Sequence, residues 1–270
     1  MSHSGSQHRS LPAFARGTVA LLAPCLVLSL ALAGCATPPP ASDPDAVADF
    51  KATNDPLEPT NRFIYKVNDT ADKYAFKPLA QGYVAVVPHP VRDSVHNFLL
   101  NMSAPTMLVS DIAQANPNRA ATTIWRFTVN SLLGVGGLFD VAAWVGVKAN
   151  SNDFNTTLGV WGVSEGPYLV LPFFGPSSVR GAVGLGVDSA ADPYGWAPTG
   201  YGIHTLNYTS FVATAIDTRS RYLTDLDRVK AQALDPYATI RSLYRQNSQA
   251  AIDKAKTDAK SHYLPSNPAN

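Results

Sequence analysis

Leu132-Leu133-Gly134-Val135-Gly136-Gly137-Leu138-Phe139-Asp140-Val141-Ala142-Ala143-Trp144-Val145-Gly146-Val147 is apolar throughout except for one acid, Asp140. A membrane-crossing helix needs roughly 20 apolar residues, so this run is too short, and its glycines break it further. Two readings stand. One is a loop-helix buried in a protein core. The other is a helix half-inserted at a membrane interface, with Asp140 turned to a polar lumen because an unpaired charge in lipid is expensive.

Upstream, Asn116-Pro117 gives a cap followed by proline, a helix start. The helix it opens carries Ile124, Trp125, Phe127, Val129, Leu132 and Leu133. Those positions wrap most of the way round, which predicts a buried or lipid-facing helix. Pro90 starts another, with Val91, Val95, Phe98 and Leu99 at helical spacing, and Ala104–Ala115 adds Met107, Leu108 and Ile112. Asn61 reads as the cap of a helix running towards Tyr74, with Phe63, Ile64 and Val67 on one side. Downstream, Val212, Ile216, Leu223 and Leu226 form a stripe that includes Arg219. A cation there needs a partner or water. Asp235-Pro236 opens a last helix with Ile240, Leu243 and Tyr244 inward. Only Val84–Val87 and Tyr168–Leu171 look extended. The fold class is therefore mainly α, a single helical domain with little or no β.

The ends are of another kind. Arg9 and Arg16, with no acid, precede the apolar stretch Thr18–Ala33, which leads into Leu32-Ala33-Gly34-Cys35. A basic start, an apolar centre and small residues at the cut make a secretory signal, residues 1–34. The Leu-Ala-Gly-Cys order resembles a lipobox, which predicts acylation at Cys35. Ala36 follows rather than Asp, which implies sorting to the outer membrane. Residues 35–54, with Pro38-Pro39-Pro40, read as a lipidated N-terminus and tether that extends at most about 65 Å. The helical domain spans 55–250, and 251–270 reads as a C-terminal tail.

Without residues 1–34, 19 of the 21 basic residues remain against all 20 acidic ones, a balance of −1. That excludes the basic excess of a nucleic-acid binder. Charged residues are 15% of the chain against a usual share of about 25%, as expected if part of the surface faces lipid. Cys25 lies in the signal and Cys35 is the anchor, so the body has no thiol for a disulfide, a nucleophile or zinc. No Walker phosphate loop is present. His89, His96, His204 and His262 lack metal-ligand spacing, so no metal or other cofactor is expected.

Gly162-Val163-Ser164-Glu165-Gly166 matches G-x-S-x-G, the pattern of a nucleophile elbow. Ser164 with His204 and Asp188 or Asp192 would make an envelope serine hydrolase, the alternative function. The elbow needs a strand before it and a helix after it, and Pro167 stops a helix from starting.

Four blocks together resemble the MlaA (VacJ) lipoproteins. They are Asp55-Pro56-Leu57-Glu58 with Asn61-Arg62, then Arg126-Phe127 with Asn130-Ser131-Leu132-Leu133-Gly134-Val135-Gly136-Gly137-Leu138-Phe139-Asp140. Thr157-Leu158-Gly159, Gly162-Val163, Gly166-Pro167-Tyr168 and Leu171-Pro172-Phe173 make the third, and Asp235-Pro236-Tyr237 with Arg241 and Tyr244 the fourth. Thr60, Asn155, Ser164 and Gly181 depart from the family's usual residues. The resemblance implies a ring-like helical protein, not an enzyme, embedded in the outer membrane beside trimeric porins. It would let mislocalised outer-membrane phospholipid leave the outer leaflet through a polar channel to a periplasmic lipid-carrier protein. On that footing Asp140 lines or caps the passage. Arg219 faces it and meets lipid phosphate, or pairs with Asp140 or Asp188. Gly162 and Gly166 flank a mobile hinge.

Overall fold

In the computed structural model, residues 55–196 and 201–260 are described, with a few isolated positions before residue 55. The signal, Cys35 and nearly all of the tether lie outside the described residues, as do 197–200 and 261–270. Helix α1 (Glu58–Ala71) runs into a π-turn (Asp72–Phe76) and then α2 (Lys77–Val86). A helical hairpin follows, α3 (His89–Ala113) and α4 (Pro117–Leu132). After the glycine loop come a single turn α5 (Val141–Trp144), α6 (Phe154–Val160) and two strands, β1 (Tyr168–Leu171) and β2 (Gly175–Ser178). Helices α7 (Val179–Ala191), α8 (Pro193–Trp196), α9 (Tyr201–Arg221), α10 (Leu223–Gln232) and α11 (Pro236–Lys260) complete the chain. The mainly α class holds. The strands pair antiparallel with Tyr168 opposite Ser178 and Leu171 opposite Gly175.

Asn61 does not cap α1. It sits inside the helix and serves β1 instead. Its Nδ2 donates to Tyr168 O at 2.9 Å, and its Oδ1 accepts from Val170 N at 2.9 Å. Asn68, two turns on, repeats the pattern: Nδ2 donates to Leu171 O and Oδ1 accepts from Phe173 N, both at 2.9 Å. The free edge of a two-stranded sheet would leave backbone groups unpaired, and two side-chain amides on one helix face supply the partners. Ile64, on that face, is buried, whereas Phe63 and Val67 point outward.

Behind this clasp lies a small aromatic core of Ile64, Tyr168, Val170 and Tyr237. Tyr237 meets Tyr65 and Tyr168 edge-on at 5.7 and 6.1 Å, the arrangement ring quadrupoles prefer. Asp55 ties the entry of the domain to α11, accepting from Asn61 Nδ2 at 2.8 Å, Arg241 Nη1 at 2.7 Å and the Tyr237 hydroxyl. Arg62 stacks over Tyr237 at 4.3 Å while binding Asp235 and Glu58.

Several expectations change. Val84–Val86 is helical, and only Val87 is extended. The Pro90 and Ala104 patterns fuse into one helix that runs through Pro105. The Val212–Leu226 stripe breaks at Tyr222 into two helices. The tail does not begin at 251, because α11 continues to Lys260 and buries Ile252 and Ala255. Gly159 on α6 explains why: a Cβ there would stand 2.3 Å from Ile252 Cδ1, so its absence lets α11 pack close.

Asp188 on α7 accepts from Phe154 N at the start of α6, at 3.1 Å. Burial pushes its carboxyl up to about 6, against the pull of that N–H. The native state therefore holds a proton that the unfolded chain releases from about pH 4 upward. The stability this brings is present below the unfolded value and is lost as pH rises through about 6. Asp188→Asn keeps an acceptor for Phe154 N without a titrating proton. Its Tm should stay flat between pH 5 and 7.5 while the parent's falls, and at pH 7.5 the variant should be the more stable by about 1–2 kcal/mol. Parallel curves for the two proteins would exclude this origin.

Candidate functional site

The α3–α4 hairpin is built inside out. Along α4, Arg119, Thr123, Arg126 and Asn130 recur at helical spacing and turn inward. Ile124, Trp125 and Phe127 are exposed on the same helix. On α3, Asp111 is 0% exposed, whereas Val109 and Ile112 face out. Asp111 is held by neutral donors, Thr123 Oγ1 at 2.6 Å and Asn152 Nδ2 at 2.7 Å. Asn152 Oδ1 accepts from Gln114 Nε2 at 2.6 Å, and that amide also reaches Thr157 Oγ1 at 2.9 Å. Such a seam is what a buried carboxylate without a cation requires. Its apolar counterpart lies outside: Leu132 is 76% and Trp144 72% exposed, with Leu133, Val135, Phe139 and Val145 beside them. Contiguous apolar surface of this kind marks an interaction or membrane-facing site. Among the described residues, no helix is long and apolar enough to cross a membrane.

Polar seam and apolar exterior meet at Asp140. Its Oδ2 takes Arg126 Nη2 at 2.7 Å, and its Oδ1 takes Asn130 Nδ2 at 2.9 Å and Ala143 N at 3.1 Å. It thus caps α5 and pairs with α4 at once. Arg126 also donates from Nη1 to Val147 O, and Asn130 Oδ1 accepts from Ala142 N at 2.9 Å, so both ends of the apolar turn hang on α4. Burial alone would raise the Asp140 carboxyl. The Arg126 and Asn130 donors outweigh it and hold the group below the usual carboxylate range. The glycines make this fold of the loop possible. A Cβ on Gly134 would meet Phe139 O at 2.2 Å, and one on Gly137, at φ +97°, would meet Asn101 Cβ at 2.5 Å. Gly136 needs its φ of +70° for the turn itself. The cavity beside Asp140, between α3 and α4, holds about 40 Å³. That is room for a water or two and not for an acyl chain.

The family model described as MlaA lipoprotein matches residues 53–251, most of the chain. The chain belongs to the MlaA lipoprotein family. An uncharacterized protein of Rickettsia bellii is 36% identical over 203 residues, covering 75% of this chain and 78% of its own. The Escherichia coli K12 intermembrane phospholipid transport system lipoprotein MlaA is 33% identical over 221 residues, 80% of this chain and 82% of its own. Its Haemophilus influenzae namesake is 30% identical over 250 residues, 89% and 93% of the two chains. A solved structure from work on the structural basis for maintenance of bacterial outer membrane lipid asymmetry superposes with a TM-score of 0.62 at 30% identity. It covers 73% of this chain and 98% of that one.

Against this MlaA frame, the predicted site residues separate into distinct places. Asn130, Gly134, Gly136, Gly137 and Asp140 form one unit. Asp55, Asn61 and Arg62 form another, the clasp between α1, β1 and α11. Arg219 joins neither, and it pairs with neither Asp140 nor Asp188. It is buried, with Nε on Asp72 Oδ1 at 2.6 Å and Nη2 on Asp72 Oδ2 at 3.1 Å and Asp227 Oδ1 at 3.2 Å. Lys230 binds the same Asp72 at 3.2 Å and Asp69 at 2.6 Å, so a charged knot fastens the π-turn to α9 and α10. Nη1 of Arg219 goes to Tyr222 O at 3.4 Å, which leaves little of the guanidinium for a phosphate. His96 sits half-buried with Nδ1 2.7 Å from Asp217 Oδ2.

Ser164 does not sit on an elbow. Its loop follows helix α6 and leads into strand β1, the reverse of strand, turn, helix. Asp188 is engaged with Phe154 N, and the side chain of His204 lies outside the described residues. The hydrolase reading is withdrawn. Gly162 and Gly166 take φ of +88° and +71°, a sign that L side chains rarely adopt, so backbone geometry by itself asks for glycine at both. Proline at 162, with φ near −65°, would refold the turn rather than stiffen it.

Proposed function

We propose that this chain is an outer-membrane lipoprotein that lets mislocalised phospholipid leave the outer leaflet towards a periplasmic lipid-carrier protein, so preserving the asymmetry of the membrane. The observation that carries the reading is the inverted α3–α4 hairpin: a polar, hydrogen-bonded interior under an apolar exterior, converging on the glycine loop at Asp140. A body of that kind suits a bilayer on its outside and a headgroup path on its inside. The names of the Escherichia coli and Haemophilus influenzae relatives support the same role.

The lipid leaves as it entered, with no bond made or broken. Asp140, with Arg126 and Asn130, lines the polar side of the path. The cavity there is far smaller than a lipid, so passage requires the glycine loop to part from α3. Trimeric porins hold the protein through its apolar exterior, and Cys35 carries the acyl chains. Each buried acyl CH₂ contributes about 0.8 kcal/mol, so two or more chains anchor firmly. Cys35→Ala should lose all label in a fatty-acid incorporation experiment, and retained label would exclude Cys35 as the acylation site.

The deciding experiment measures outer-leaflet phospholipid in cells lacking the gene and in cells complemented with it. Complementation should remove the surface phospholipid, and Ser164→Ala should do so equally well. Surface phospholipid unaffected by loss of the gene would sink the proposal.

A further inference from the structure

A larger cavity, about 370 Å³, opens between the first turn of α3 and the end of α9. That volume is within the usual range of small-ligand sites, about 300–1,000 Å³. Its wall is charged: His89, Arg92 and Asp93 from α3, and Asp217, Ser220 and Arg221 from α9. It is distinct from the Asp140 loop, with which it shares no lining residue.

Most of these charges are matched within the wall. Asp93 Oδ2 lies 2.8 Å from His89 Nδ1, and its Oδ1 takes Arg221 Nη2 at 3.4 Å. Asp217 Oδ2 lies 2.7 Å from His96 Nδ1 and takes Arg221 Nε at 3.2 Å. Two groups are left over. Arg92 makes no ion pair among the described residues, and its Nε is buried without a hydrogen-bond partner. Asp217 has a side chain only 4% exposed, and its Oδ1 is buried without a partner. The hydroxyl of Tyr83, within electrostatic reach of the same charges, is also buried and unpartnered. Buried polar groups of folded proteins are almost always satisfied. Here a buried guanidinium nitrogen and a buried carboxylate oxygen, both unpartnered, belong to residues that line one cavity, and they do not satisfy each other.

We propose that this cavity binds a zwitterionic phosphate ester, a phosphoethanolamine headgroup, with its phosphate on Arg92 and its ammonium on the Asp217 and Asp93 carboxylates. The proposal rests on the phospholipid-passage reading and names the headgroup class that the protein selects. A guanidinium binds phosphate through paired N–H donors, and an ammonium supplies the donors that a carboxylate oxygen lacks. A plain anion would be opposed by Asp93 and Asp217, and a plain cation by Arg92 and Arg221. Discrimination by such misplaced like charges is a general route to specificity. The site would hold a headgroup before or after it crosses the Asp140 loop.

The test is calorimetric titration of the full chain in detergent with dihexanoyl phosphatidylethanolamine, dihexanoyl phosphatidylglycerol, glycerophosphoethanolamine and inorganic phosphate. The phosphatidylethanolamine should bind most tightly. Glycerophosphoethanolamine should compete with it, showing that the headgroup is what is read. Arg92→Gln should weaken phosphatidylethanolamine binding by about tenfold or more, the worth of a charge-assisted bond. This variant breaks no ion pair, so it should fold. Asp93→Asn should narrow the preference for phosphatidylethanolamine over phosphatidylglycerol. Arg228→Gln, at the exposed Arg228–Asp225 pair, should change neither. Inorganic phosphate binding as well as the phosphatidylethanolamine would overturn the zwitterion site, and so would binding indifferent to Arg92→Gln. Either result leaves the passage reading intact, because that stands or falls on whether the parent chain clears surface phospholipid.

Discussion

Asp140→Leu should abolish clearance of outer-leaflet phospholipid and lower stability by up to about 3 kcal/mol, somewhat less than the loss on breaking a fully buried ion pair because this pair is partly buried. The stability loss has two sources. Arg126, with its side chain only 11% exposed, is left without its anion, and Ala143 N loses its cap. A cap by itself is worth about 1 kcal/mol. Arg126→Leu should cost a comparable amount from the other side. The informative protein is the double variant. With both charges gone, no uncompensated ion remains, and about 2 kcal/mol or more should return as a non-additive term. Clearance should not return, because a headgroup path lined by two leucines has lost its polar side. If the double variant regains clearance with its stability, Asp140 is a fastener of the loop and lines nothing. Urea or thermal unfolding in detergent, set beside surface-phospholipid labelling, separates the two outcomes.

The sequence showed that the segment around Asp140 was unusual, but not where the charge would go. Read for its apolar positions, α4 is apolar most of the way round. Its polar positions carry the sharper signal: Arg119, Thr123, Arg126 and Asn130 step by four, three and four, a narrow stripe on one face. That stripe is the inner surface, and Arg126 is the partner that Asp140 needed. Ordinary amphipathic reasoning places the apolar face inward and so inverts this hairpin. The caps and turns were more legible, because their chemistry is local. Asn116 accepts from Arg119 N at the start of α4, as the Asn-Pro order implies, and Tyr168–Leu171 is a strand. Long-range pairing was not legible. Arg219 reaches Asp72 across 147 positions, and Arg92 and Asp217 line one cavity only because α3 and α9 lie side by side. Spacing along the chain carries no trace of either.

Asp55→Ala should be the most damaging single change outside the loop, with a Tm lowered by about 10 °C or more. Asp55 has a side chain with no exposure, and three donors, one from the adjoining α1 and two from the distant α11, converge on it. Its removal leaves the Arg241 guanidinium with Glu58 Oε2 at 3.6 Å as its nearest carboxylate, and leaves the Tyr237 hydroxyl buried. Breaking one side of such a pair costs about 3–5 kcal/mol, and the orphaned hydroxyl adds about 1–3. Asp55→Asn keeps one acceptor oxygen, which can serve Arg241 on one side or the Asn61 amide on the other but not both, so it should lose less than Asp55→Ala while still lowering the Tm. The position of the clasp gives the loss a further consequence. Thr53 O accepts from Arg245 Nη1 at 2.8 Å, so α11 also holds a residue just before Asp55. Loosening it frees the first turn of α1, and with it the edge of β1 that Asn61 satisfies. Clearance per folded molecule should nonetheless stay near the parent value at low temperature, since the clasp shares no residue with the Asp140 loop or the charged cavity. A folded Asp55→Ala protein with parental Tm and no clearance would show instead that the Asp55, Asn61 and Arg62 motif acts in transport and not in holding the domain closed.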